Sequence, residues 1–183
     1  MKQKINHRYA IVGLLPEDNS SAVEFIQKRY ESARWRITFP PHMTILRPST
    51  GLVLPEDAMH DFASMTLSLT PPRVVASTLG MFLGPENTNV AYIEVAQDDN
   101  ITALHQTVVS QSGSFCEVNS EYKEFVPHIT LANHMADRDA IDQLADEVGD
   151  DIPKIDFVLD RVHLFQKSDQ DRNWVWLAEK LIG

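Results

Sequence analysis

The chain has 183 residues, 43% of them apolar, and a formal net charge of -10, enough material for one domain or two small lobes with an unstapled core. That acidity argues against a general nucleic-acid coat protein, because such binding rests on many Lys and Arg contacts to phosphates. The single cysteine, Cys116, cannot close an internal disulfide and leaves no cysteine cluster for zinc, which fits a reducing, cytoplasmic setting.

In chain order, Met1-Lys2-Gln3-Lys4 and the apolar Tyr9 to Leu15 faintly resemble a signal sequence. The apolar run is short, however, no small-x-small site follows, and Pro16-Glu17-Asp18 interrupts. Tyr9 to Leu15 therefore reads as a buried strand, and no segment reaches membrane-spanning length. Asn19 and Ser20 offer an N-cap for a helix with Ala22, Phe25, Ile26 and Tyr30 as its apolar stripe. A strand from Trp35 to Leu46 follows, then a loop with Pro48 and Gly51, then a helix over 55–65 with Ala58, Phe62 and Met65 inward. Val74 to Leu83 is a strand, and Gly84-Pro85-Glu86-Asn87 a turn.

The same order then recurs. Val90 to Val95 is a strand, Ile101 to Ser110 a helix, and an irregular stretch around Gly113 to Tyr122 leads to a strand from Phe125 to Ala132. Asp137 to Val148 is a helix with Ile141, Leu144, Ala145 and Val148 on one stripe, and Phe157 to Gln166 a strand. After the turn Lys167 to Asn173, Trp174 to Leu181 closes the chain. Leu79-Gly80-Met81-Phe82 occupies the place of Val162-His163-Leu164-Phe165. Two internal repeats, about 8–83 and 89–166, with a closing strand 174–181, predict one α+β domain over 1–183. It is bilobal, with a pseudo-twofold axis and two antiparallel sheets flanked by helices around a central cleft.

Within the repeat, Pro40-Pro41-His42-Met43-Thr44-Ile45-Leu46 is echoed by Val126-Pro127-His128-Ile129-Thr130-Leu131. On a strand, side chains alternate faces, so His42 and Thr44 share one side and Met43 and Ile45 the other; the second copy behaves alike. Two imidazoles and two hydroxyls can thus face one cleft. His105-Gln106-Thr107 has the same spacing but lies in a helical pattern, where i and i+2 diverge. Charge is also uneven: Lys28, Arg29, Arg34, Arg36 and Arg47 stand against Glu31 alone between 28 and 47, an island suited to one or two phosphates. Lys28 and Arg29 individually fit a solvated helix face. No His-x-His or His-Glu-x-x-His spacing suggests a metal hydrolase.

The paired Pro-His-x-Thr strands, half a chain apart and each preceded by strand and helix, resemble the 2H phosphoesterase superfamily, the group of 2′-5′ RNA ligases and cyclic nucleotide phosphodiesterases. The stretch from Val162-His163-Leu164-Phe165 to Trp174 resembles its RNA ligase-like branch. The resemblance implies a metal-independent, cofactor-free phosphodiesterase with His42 and His128 as catalytic residues. Its substrate would be a 2′,3′-cyclic phosphate or related phosphodiester on a nucleotide or short RNA end, with reversible 2′-5′ ligation as a further capacity. The chemistry agrees: imidazole can take or give a proton near neutral pH, and Thr44 and Thr130 can donate to non-bridging oxygens. Which histidine is base stays open. Arg47 is a candidate phosphate contact or a residue of the cleft's rim, and Tyr122 and Phe125 are candidates to close over the ligand by stacking on a base, although a phenylalanine at 125 is more often core. Asn133 stands where some relatives carry an arginine. His7, His60 and His134 read as exposed bystanders and His163 as structural. A non-catalytic nucleotide- or RNA-end-binding module on the same scaffold is the alternative.

Overall fold

The computed structural model describes residues 6–32, 36–85, 88–118, 125–135 and 137–183, apart from the side chain of Asp150. Its elements, in order, are β1 (His7–Leu14), α1 (Glu17–Arg29), β2 (His42–Thr50), α2 (Pro55–Ser64), β3 (Arg73–Phe82) and β4 (Asn89–Val95). They continue with α3 (Asp99–Gln111), β5 (His128–Met135), α4 (Arg138–Val148), β6 (Ile155–Val158), β7 (Arg161–Ser168) and β8 (Val175–Leu181). The architecture is α+β, as expected. The strands, however, form one curled eight-stranded antiparallel sheet in the order β6-β3-β4-β5-β2-β1-β7-β8, not two separate sheets. Two four-stranded halves meet at β2 and β5, where Met43 pairs with Ile129 and no further register is kept. That single pairing makes two sheets into one.

The halves do not coincide with the sequence repeats. β3 ends the first repeat but pairs with β4, and β7 ends the second but pairs with β1, so each half takes its third strand from the other repeat. The expected strand over 157–166 is broken at Leu159-Asp160: β6 pairs with β3 at one edge of the sheet, while β7 crosses to β1.

All four helices cover one face. Met43, Ile45, Ile129 and Leu131 from the sheet are essentially fully buried in one cluster with Val23 and Ile26 of α1, Phe62 of α2, Leu104 of α3 and Leu144 of α4. Truncating a residue of this set, such as Ile129→Ala, costs about 2–5 kcal/mol because a cavity replaces its contacts. α1 starts directly after Pro16 rather than at Asn19, and Phe25 is 71% exposed while Val23, Ile26 and Gln27 turn inward. α3 and α4 carry side-chain caps: Asp98 accepts from the Asn100 and Ile101 amides, and Asp137 from that of Ala140. Among the described residues no helix is long and apolar enough to cross a membrane.

Candidate active site

Both motif strands start at their histidine. Pro41 and Pro127, just before, are buried and bring no N–H into the ladder. Their carbonyls instead accept from the ends of the neighbouring segments, Leu15 N–H to Pro41 at 3.2 Å and Val95 N–H to Pro127 at 3.3 Å. The alternation read from sequence holds: Met43, Ile45, Ile129 and Leu131 are buried, and His42, Thr44, His128 and Thr130 are half-buried. The antiparallel pair Met43–Ile129 brings the two motifs alongside each other, and His128 is near enough to His42 to act on its charge. The two His-x-Thr pairs therefore meet on the open face of the sheet.

Each strand then bulges in the same place. Val12 pairs with Thr44 but Ile11 with Leu46; Tyr92 pairs with Thr130 but Ala91 with Ala132. Ile45-Leu46 and Leu131-Ala132 are accordingly buried as consecutive pairs, and each bulge is one residue past the motif threonine. Helices from the opposite repeat bond these segments from behind: Gln27 Nε2 of α1 donates to the Thr130 carbonyl at 2.8 Å, and His105 Nδ1 of α3 to the Ile45 carbonyl at 2.7 Å. The His105-Gln106-Thr107 decoy is thus on a helix, as its periodicity predicts.

The tautomers follow from backbone geometry. His42 Nδ1 is 2.7 Å from the Pro40 carbonyl and His128 Nδ1 is 2.8 Å from the Val126 carbonyl. A carbonyl only accepts, so each Nδ1 carries the proton and each neutral Nε2 keeps a lone pair. Two equivalent bases result. Burial lowers the His42 pKa to about 4, opposed by the Pro40 bond and helped by the nearby His128. The His128 pKa is lowered too, by burial and against the pull of the Val126 carbonyl. Only the charged form suffers from this dryness.

Aromatic rings supply it. Phe39 lies over His42, ring centroids 4.6 Å apart, and is itself packed on Phe165 at 4.8 Å and Trp174 at 4.7 Å. His128 meets Phe82 edge-on at 5.0 Å and Tyr92 at 5.2 Å. Gly80 makes room for that second wall: a Cβ there would come within 2.4 Å of the Tyr92 ring. None of these rings was singled out as a candidate from sequence, although Phe39 stands three residues before His42 as Phe125 does before His128. Phe125 takes the core place that its residue type favours: its ring is parallel to His105 at 3.9 Å and packed against the helix-side core, because α3 presents a flat partner there. Tyr122 and Arg34 lie outside the described residues. Arg47 is half-buried just past the first bulge. Asn133, at the matching point of the second strand, accepts the His134 N–H on its Oδ1 at 2.7 Å, within a turn where His134 has φ 57°.

Lys28 and Arg29 are exposed and ion-paired, with Glu24 at 2.9 Å and Glu147 at 3.0 Å. His163, on β7, is 7% exposed and 3.6 Å from Glu179; His7 Nδ1 accepts from Gln166 Nε2 at 3.0 Å, more engaged than a bystander. Among the described residues no three His, Cys, Asp or Glu side chains converge as a metal-binding group.

The family model of the 2′-5′ RNA ligase superfamily matches residues 16–171. No curated protein matches the chain in sequence. Escherichia coli LigT complexed with 3′-AMP is 14% identical with a TM-score of 0.66, over 97% of this chain and 98% of that one. A crystal structure of a phosphoesterase gives 14% and 0.67 over 96% and 98%. TT0787 of Thermus thermophilus gives 18% and 0.61 over 96% and 97%.

Proposed function

The chain belongs to the 2′-5′ RNA ligase superfamily, a group of 2H phosphoesterase-type enzymes, and on that premise we propose that it opens 2′,3′-cyclic phosphates on nucleotides or RNA ends by two-histidine acid–base chemistry. The observation that carries the proposal is the matched pair of imidazoles, each anchored through Nδ1 to a carbonyl two residues back, on strands that meet at Met43–Ile129. The Nε2 of one histidine takes a proton from water as its oxygen bonds to phosphorus. The Nε2–H of the other gives a proton to the ribose oxygen as the old P–O bond breaks. A phosphate monoester and a free hydroxyl result. With a ribose 5′-hydroxyl in place of water, the same exchange forms a 2′-5′ link.

The lowered pKa values fit the first role directly, since a neutral imidazole is the ground state of both rings at pH 7. The acid role needs one proton more, and the substrate's own negative charge favours it. Thr44 and Thr130 face the same side as the rings, and their hydroxyls have no partner among the described residues. They can donate to the non-bridging oxygens as charge builds there. The pseudo-twofold layout makes base and acid interchangeable; the flank that receives the departing ribose oxygen supplies the acid. Escherichia coli LigT has been crystallised with phosphate, 3′-AMP and ATP, which supports a nucleotide ligand for this fold.

The test is hydrolysis of 2′,3′-cyclic nucleotides in excess chelator. Turnover survives the chelator, follows a bell-shaped pH profile, and falls about 10²–10⁴-fold in His42→Ala and in His128→Ala. Tight binding without turnover across a panel of cyclic and linear phosphodiesters overturns the proposal in favour of a binding module.

A further inference from the structure

An open groove of about 1110 Å³ begins beyond the aromatic roof of His42. It is lined by Glu31, Arg36, Thr38, Arg172 and Asn173 among others, and Thr38 and Asn173 are the chain neighbours of Phe39 and Trp174. Its two arginines come from different segments, one leading into β2 and one from the turn between β7 and β8. The segments are tied to each other: the Trp174 N–H donates to the Thr38 carbonyl at 3.1 Å. The turn bearing Arg172 is braced by Asp171, whose Oδ2 accepts from the Ser168 amide at 2.9 Å and hydroxyl at 2.6 Å. Two exposed arginines thus line one groove on segments that are tied together.

Charge pairing separates them from Arg29, Arg73, Arg138 and Arg161, which are each in an ion pair; Arg36 and Arg172, like Arg8, have none among the described residues. Of the nearby acids, Glu24 holds Lys28, and Glu31, which lines the groove, is fixed by accepting the Ile37 N–H on Oε1 at 2.8 Å. The groove therefore carries two guanidinium groups against one carboxylate, a local positive excess in a protein whose net charge is -10. Beside them stand Phe39 and Trp174, ring centroids 4.7 Å apart. Arginines next to aromatic faces on an open track are what a single strand needs, phosphates held electrostatically and bases on rings. Arg36 stands six positions before His42 in the chain, so the reach is at most about 20 Å, a few nucleotides of strand.

Resting on the reading under Proposed function, we propose that Arg36 and Arg172 form a second phosphate subsite, on the His42 flank, for a single-stranded oligonucleotide whose end is in the histidine cleft. The substrate class is then an oligonucleotide end in preference to a free mononucleotide. Cyclic mononucleotide and a short single-stranded RNA ending in 2′,3′-cyclic phosphate are compared in the wild type, Arg36→Ala and Arg172→Ala. The wild type shows a KM at least tenfold lower for the RNA. Each variant raises that KM about five- to tenfold, leaves kcat and the mononucleotide unchanged, and flattens the log–log salt dependence by about 0.7 per arginine. Equal KM values for both substrates in the wild type, or equal effects of the variants on both, overturn the subsite. Binding of the same RNA ending in a 3′-phosphate, measured by fluorescence anisotropy, reads the subsite without turnover. Loss of catalysis with this preference intact refutes the hydrolase alone, and no loss of RNA affinity in either variant refutes the groove alone.

Discussion

His42 shows how one residue couples chemistry to stability. Its folded pKa, about 4, is below the ordinary 6.5, so between these values the unfolded chain binds more protons than the native one. Stability is therefore complete above about pH 6.5 and declines as pH falls through that window; His128 and His163, lowered by burial as well, act in the same direction. The ring is only half-buried, so the effect for His42 is on the order of 1–2 kcal/mol. Urea melts at pH 7.5 and pH 5 should show a lower midpoint at the acid end, and His42→Gln should shrink that difference. A midpoint that does not move with pH would contradict the dry setting described for the ring.

At the scale of elements, the motif strands are held by the helices of the opposite repeat. His105→Phe keeps a flat ring for Phe125 to stack on but removes the donor to the Ile45 carbonyl. Leaving that part-buried acceptor without a partner costs about 1–2 kcal/mol, seen as a fall in Tm of about 2–4 °C per kcal/mol. An unchanged Tm would mean that water replaces the bond freely. The alternation along β2 and β5 was legible because a period of two residues leaves its record in every second side chain. The bulges were not: two consecutive apolar residues such as Ile45-Leu46 read equally well as a strand end. Phe39 and Phe125 share a position relative to their histidines, yet only Phe39 covers one, since His105 on α3 captures the other. Local pattern carries which face a residue takes, and not which neighbour waits there.

For the whole molecule, the exchange of third strands decides how it unfolds. Because β3 completes the half containing β4 and β5, and β7 the half containing β1 and β2, neither repeat can build a closed sheet half from its own residues. Calorimetry should show one transition with equal calorimetric and van't Hoff enthalpies. A fragment of residues 1–85 should remain unfolded by circular dichroism, and two separable transitions would argue against this interlocking. The repeat was readable in the order of elements, but partners across a sheet have no signature in sequence, so the crossing of β3 and β7 and the merging of two sheets into one were not. One last feature bears on how far such a chain can drift. Each imidazole is oriented by a carbonyl of its own preceding residues, and every amino acid supplies a carbonyl. The orienting partner thus survives any substitution at Pro40 or Val126 that keeps the backbone path, so the His-x-Thr cassette is portable. Proteins sharing 14–18% of their residues with this chain have the same fold.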